Sequence, residues 1–370
     1  MGPITSFLLK GNPQNLDCWN GRPLRGDVKE AMERHIGIPF PHGQGQHPGG
    51  QKASSLIEKG RVEILSALGG GWRGGVFTSS ATEAHHLATH ALQPSQVVLP
   101  VGSRLSFVGA ANRLIQKGAS LVQHPLSRTG HLEGINLSQC KEGDLVFVES
   151  ASGETGAVQD IHQLVEEGKK RGVNLLVDLS VGWNGIPPRG IEGVRWVSLS
   201  FYRFGGPVGI GFLAWRGAEP LPIMGGGIGE GGIRPGRLGV PLVVGAAESI
   251  LGGECSPSFL ALMGIFRKGV EEWEGVHLFE GGERLESVVA GWGENVDMEA
   301  FRAGCAFEGI WMGSESACQS GAGLPSKVLQ SMGVPQPRAG FHFSPPFDWT
   351  KEEMEWTLDS LERCWVRARR

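Results

Sequence analysis

The sequence predicts an α/β fold: a large domain built on a mostly parallel, mixed sheet covered by helices, and a smaller α+β domain at the C-terminal end. Two observations carry that expectation. Short runs that are apolar at every position, not at alternate ones, recur between amphipathic stretches of helical period; strands buried on both faces have this pattern. After about Ser256 the alternation thins out and strand-like runs become sparse. The 370 residues suffice for two or three domains.

In order along the chain, Gly75–Thr78, Gln96–Val101, Asp144–Glu149, Asn174–Asp178, Arg195–Ser200 and Val208–Trp215 read as buried strands. Ala81–Leu92, Arg104–Lys117 and Asp160–Arg171 read as the helices between them. Helix starts are marked by capping-box spacing at Asp27 with Glu30, Ser80 with Glu83, and Thr350 with Glu353. The last helix sets Met354, Leu358, Leu361 and Trp365 on one packing stripe. In the C-terminal region Ser287–Ala290, Cys305–Trp311 and Gly340–Ser344 read as strands. The boundary falls near Gly252–Pro257, giving a large domain over 15–254 and a small one from 1–14 and 255–370.

Composition narrows the function classes. Hydrophobic residues at 40% and charged residues at 19% describe a globular chain and exclude general disorder. A formal charge of −4 offers no basic field for nucleic acid or an anionic membrane surface. No apolar run approaches the roughly 20 residues of a membrane span, and the first residues lack the basic start of a secretory signal. The six cysteines are widely spaced without a CxxC pair, so neither a disulfide framework nor a zinc site is expected, and a cytoplasmic location is.

Four segments could carry chemistry. In FTSSATEAHHLA (77–88) a strand runs through small residues into a capped helix, where free amides from Ala81 and the Thr82 hydroxyl could seat a phosphate; an ordinary capped helix is the plainer alternative. Asp178 ends a buried strand, at the edge where α/β sheets bind ligands, or else caps the next turn. VSLSFYRFGGPVGIGF (197–212) places Ser200, the lone tyrosine Tyr202 and Arg203 in a turn between strands. SESACQSGAG (314–323) exposes Cys318 among small neighbours, which suits a nucleophilic thiol as well as a structural one. His42, His47, His85 and His86 read as satisfied or exposed histidines, with no completing metal-ligand spacing.

Together these segments, with ETGAVQDIHQL (154–164), VDLSVGWNGIP (177–187), GGGIGEGGIRPG (225–236) and SESACQSGAGLPSKVLQSMG (314–333), resemble the cysteine desulfurases of the class V aminotransferase group in order and spacing. The resemblance implies the pyridoxal-phosphate-dependent transferase fold type I, pyridoxal 5'-phosphate as the group's cofactor, and a homodimer whose subunits build the site together. A heterodimer with a lysine-bearing relative is the alternative. Iron–sulfur scaffold proteins or thiolation enzymes are implied as sulfur acceptors. It carries the family's persulfide-forming cysteine onto Cys318 and its cofactor contacts onto Ala81, Thr82, Asp178, Ser200 and the Tyr202–Arg203 turn.

Several family positions differ. The serine-glycine-histidine-lysine turn, whose lysine forms the imine, reads Ser200, Phe201, Tyr202, Arg203. A guanidinium stays protonated and does not form that imine; Lys170 and Lys268 belong to other segments. The ring-stacking histidine falls on Arg104, the ring-oxygen asparagine on Ser152–Gly153, a glutamine on Val181, the cross-dimer threonine near Arg237, and the substrate-carboxylate arginine near His342. The expectation is a desulfurase-like protein without covalent pyridoxal attachment, with Cys318 as persulfide carrier. Two alternatives stand beside it: an anion-binding or regulatory protein using Arg104 and Arg203, or an enzyme holding pyridoxal phosphate noncovalently. Pairing of these arginines with Glu149, Glu154, Asp178 or Glu230 would instead fill the pocket.

Overall fold

A computed structural model describes residues 13–40, 43, 45–135, 137–252, 255–313 and 325–369. Its centre is a seven-stranded sheet of β2 (Gly74–Thr78), β3 (Gln96–Pro100), β4 (Ser120–His124), β5 (Leu145–Glu149), β6 (Asn174–Asp178), β7 (Trp196–Ser200) and β8 (Gly211–Trp215), in spatial order β2-β8-β7-β6-β5-β3-β4. The pairs from β4 through β7 are parallel, while β8 runs antiparallel to both β7 and β2. The uniformly apolar strands behave as their composition requires. Val146, Val148, Val177 and Leu199 enter one core, and their neighbours Leu145, Phe147, Leu176 and Trp196 enter the core on the other face.

Helices cover both faces: α1 (Gly26–Glu33), α2 (Pro48–Ala67), α3 (Ala81–Thr89), α4 (Leu105–Gln116), α5 (Ile161–Lys169) and α6 (Val240–Leu251). A separate core gathers Leu16 with Phe259, Phe266, Phe301, Phe343 and Trp365. It is built by α7 (Pro257–Glu271), the antiparallel strands β9 (Val276–Leu278), β10 (Val289–Gly293) and β12 (Gly340–Phe343), α8 (Met298–Phe307), and α10 (Lys351–Ala368). Residues Gln14–Asn15 (β1) reach this core by pairing in parallel with Ile310–Trp311 (β11). Helix α9 (Lys327–Ser331) leads back toward the large sheet.

Capping decides two helix starts as expected. Ser80 accepts from the Glu83 amide, and Thr350 with Glu353 forms a reciprocal capping box. Thr350→Ala should therefore cost about 1 kcal/mol in urea unfolding, with Ser at this position restoring most of it. The Asp27–Glu30 expectation needs correction: α1 begins after Arg25, which offers no side-chain cap, and Asp27 lies inside the first turn paired to Arg25. The strand expected over Cys305–Trp311 is also corrected. Met298, Phe301 and Cys305 recur at helical spacing and bury one face of α8, leaving only Ile310–Trp311 extended. Elements without a counterpart in the sequence analysis include α2, started by His47 and Pro48, and the largely exposed edge strand β4.

Beyond β8 the Gly225–Gly236 segment folds over the sheet edge. Glu230, in a left-handed conformation (φ 50°), buries its carboxylate there. Its oxygens accept from Arg61 Nη1 and Nη2 (2.8 and 2.7 Å) and from the Phe77 amide (2.8 Å). Among the described residues no helix is long and apolar enough to cross a membrane.

Candidate functional site

The parallel strands β3, β5, β6 and β7 end side by side, and their carboxyl ends supply most of the candidate site. Glu149 closes β5, Asp178 closes β6, Ser200 closes β7, and the turn after β3 delivers Arg104 as the residue preceding α4. This crest is where an α/β sheet presents side chains to a ligand.

Asp178 is fully buried. Its Oδ2 accepts from Arg104 Nη1 at 2.6 Å and lies 3.4 Å from His85 Nε2, while Oδ1 accepts from the Ser180 amide at 2.7 Å. Burial would raise its pKa, but the Arg104 charge, His85 and Ser180 outweigh burial and hold it well below the usual carboxylate range. Arg104 also donates from Nη2 to Glu149 at 2.8 Å, and its backbone amide donates to the other Glu149 oxygen at 2.9 Å. One guanidinium thus bridges two carboxylates; against the opposing effect of burial, they raise its pKa above the ordinary arginine value.

His85, one turn into α3, meets Ser198 Oγ at 2.8 Å and packs against Phe107. Burial drives its pKa below the ordinary histidine value despite the opposing pull of Asp178. The folded protein therefore refuses a proton that the unfolded chain accepts, so this group removes stability as pH falls through about 6.5.

The phosphate-type seat is partly spoken for. The Ala81 amide donates to Ser200 Oγ at 2.9 Å, and the Ser200 amide donates to Ser180 Oγ at 2.8 Å, linking the start of α3 to the Asp178 turn. Gly211 permits this close approach: a Cβ there would come within 2.5 Å of the Ser80 backbone. Thr82 is exposed at the same helix start.

Arg203 sits in the turn after β7. Nη1 donates to the Trp19 carbonyl, the guanidinium lies 5.3 Å from the Tyr202 ring centroid, and Nε has no partner. Burial, then the neighbouring Arg104 charge, lowers its pKa. Among the described residues no carboxylate lies within 4 Å of it. Arg203, Arg104, Glu149, Ser152, Gly153 and His342 line a cleft of about 160 Å³. His342 is buried, stacked on Trp19, and 3.4 Å from Asp17.

The structure thus brings Arg104, Asp178, Ser200 and Arg203 to one crest, with Ala81 joined through Ser200 and Tyr202 alongside. Cys318 lies outside the described residues, as does His42. Of the suggested acidic partners, Glu149 and Asp178 hold Arg104; Glu230 instead holds Arg61, Glu154 accepts from Ser326, and Arg237 donates to the Phe40 carbonyl. Sequence reasoning missed Ser180, Ser198 and the engagement of His85. The last was legible only as a position: His85 is the residue of α3 that one turn of helix carries back over the ends of β6 and β7. Among the described residues no cluster of metal-ligating side chains occurs.

Comparison with known proteins agrees with this architecture. A family model described as class-V aminotransferase matches residues 38–229. Cysteine desulfurase IscS of Dictyoglomus turgidum is 26% identical, covering 96% of this chain and 95% of that protein. Cysteine desulfurase IscS of Rickettsia bellii is 27% identical, covering 87% and 83%. A NifS-like protein from Rickettsia africae superposes with a TM-score of 0.85 at 22% identity over 96% of this chain and 99% of the other. A structure described as SspA in complex with cysteine gives 0.78 at 21% over 90% and 99%. Sheet order, crest and family match together lead to one assignment: this chain belongs to the class-V aminotransferase family, with a cysteine desulfurase-like, type I fold.

Proposed function

We propose that this chain is a sulfur-transfer protein on the desulfurase scaffold that does not carry out the covalent pyridoxal step. One observation carries the reading: Arg104 closes an ion network over Asp178 and Glu149 beside Arg203, where the resemblance calls for a lysine. The residues do not fit pyridoxal phosphate. The carboxylate that would face the ring nitrogen is already neutralised by a guanidinium, the Ala81 amide is already satisfied by Ser200, and position 203 offers no imine-forming amine. The same contacts argue against noncovalent binding of that cofactor. They also leave Arg203, and not Arg104, as the guanidinium free for anion binding.

In this reading sulfur arrives from a partner. The Cys318 thiolate attacks the terminal sulfur of a partner's persulfide, the partner leaves as its thiolate, and the persulfide now rides on Cys318; no net oxidant is needed. A homodimer or a heterodimer with a lysine-bearing relative is compatible with it, and an iron–sulfur scaffold or thiolation enzyme is the acceptor.

Wild-type protein incubated with pyridoxal phosphate should develop no near-visible band that borohydride fixes, and should release no sulfide from cysteine. Beside an active desulfurase it should gain cyanolysable sulfur that Cys318→Ala loses. A borohydride-fixed chromophore on the wild type would sink the first half; failure to acquire sulfur would sink the second. Arg203→Lys alone should also stay unreactive, because Arg104 still covers Asp178.

A further inference from the structure

A second, larger cavity lies between the two cores, adjoining the crest-side cleft at Trp19, Gln159 and Arg203. It encloses about 610 Å³, a volume suited to an organic ligand of some ten to twenty heavy atoms. Leu179, Val181, Trp183, Leu260, Leu285 and Phe347 give it apolar walls. Set in those walls is the guanidinium of Arg22, a residue only 8% exposed.

Arg22 is held but not neutralised. Nε donates to the Arg203 carbonyl at 3.4 Å, Nη1 donates to the Pro345 carbonyl at 3.0 Å, and the guanidinium carbon lies 3.6 Å from the Phe347 ring centroid. These contacts fix its plane. Nη2 has no acceptor, and no carboxylate lies within 4 Å, among the described residues. The carboxylates that line the cavity, Glu283 and Glu286, are exposed residues at its solvent side. Cys255 lines it too, but burial raises its thiol pKa, so it supplies no compensating negative charge.

A buried cation with no ion-pair partner, helped only by the more distant charge of the exposed Asp348, is costly, and the protein retains one at the floor of an apolar chamber. We propose that this cavity binds a monocarboxylate with an aliphatic or aryl body, its carboxylate on Arg22 Nη2 and its body against Trp183, Leu285 and Phe347. Arg203 and Arg284 also line the chamber, their Nη1 atoms held by the Trp19 and Thr155 carbonyls, so the walls favour an anion, and the largely apolar lining favours one with a single charge on an extended body. Small dianions such as sulfate or phosphate would leave the apolar walls uncovered and would meet Glu283 and Glu286 on entry. The site shares Trp19, Gln159 and Arg203 with the crest-side cleft, but neither Cys318 nor the Arg104 network takes part, and its test reads ligand binding and not sulfur transfer.

The test uses octanoate and phenylacetate as probes, with octanol and sulfate as controls, by calorimetry and thermal shift on the full chain. Octanoate should raise the melting temperature in a dose-dependent way. Arg22→Met and the use of octanol should each weaken binding about tenfold to a hundredfold, the scale of one charge-assisted contact. Leu285→Trp, which fills the chamber without touching Arg22, should abolish binding and keeps the test decisive where Arg22→Met fails to fold. Absence of octanoate binding, equal affinity in Leu285→Trp or a folded Arg22→Met protein, or sulfate binding as tightly as octanoate would each overturn the assignment.

Discussion

Arg104→Met protein should be about 3–5 kcal/mol less stable than wild type at pH 7, the cost of removing one partner from a buried ion pair. Asp178 has no exposed side-chain surface and relies on this guanidinium. In the wild type its depressed pKa contributes stability that is present above the unfolded value near 3.8 and is lost as pH falls below it. In the variant the sign reverses. A buried carboxylate left with His85, the Ser180 amide and only the more distant Arg203 charge has its pKa raised by burial, so the penalty grows as pH rises through the unfolded value and shrinks on acidification. Urea titrations at pH 7 and pH 5 should show the gap between variant and wild type narrowing at the lower pH. A gap that stays constant would mean lost packing, and not the charge network, accounts for the loss. Arg104→Lys should recover only part of it, because one ammonium cannot span Glu149 and Asp178 with a planar fork.

The second large effect belongs to Glu230. Replacing it with Ala should cost about 3–5 kcal/mol, since Arg61 would keep a largely buried guanidinium with only the exposed Glu58 as a charged partner. The Phe77 amide would lose its acceptor as well. The loss should be shared: Arg61→Met combined with Glu230→Met should be milder than the sum of the two single changes, a coupling that a double-mutant cycle on thermal unfolding measures. Strict additivity would show that the two residues act separately. Proteolysis should concentrate in Gly225–Gly236 in the Glu230→Ala protein, because that side chain ties the segment to β2.

The buried strands were legible because a strand covered on both faces must be apolar throughout, and Asn174–Asp178 is found with the very ends its composition suggests. Edge strand β4 was not, since Ser120–His124 buries no residue and so carries no apolar run. Cys305 shows the opposite failure: a short apolar stretch fits either period, and only packing against α10 selects the helix. At the site, the spacing of Asp178, Ser200 and Arg203 along one chain could place them near strand ends. It could not reveal that Arg104, 74 residues from Asp178, would reach across the crest and claim both carboxylates. Which charges neutralise one another is decided by the order of strands in the sheet, and that order is not written locally. Glu230 makes the same point, its partner Arg61 lying 169 residues away.

The short pairing of β1 with β11 has a temporal meaning. Trp19 donates its amide to Ser344, 325 residues later, and Leu16 belongs to the same core as Trp365. During synthesis Gln14–Asn15 therefore stays unpaired while the central sheet assembles behind it. The pairing must wait for Ile310–Trp311 and Ser344 to emerge, making it a late, high-contact-order step of folding.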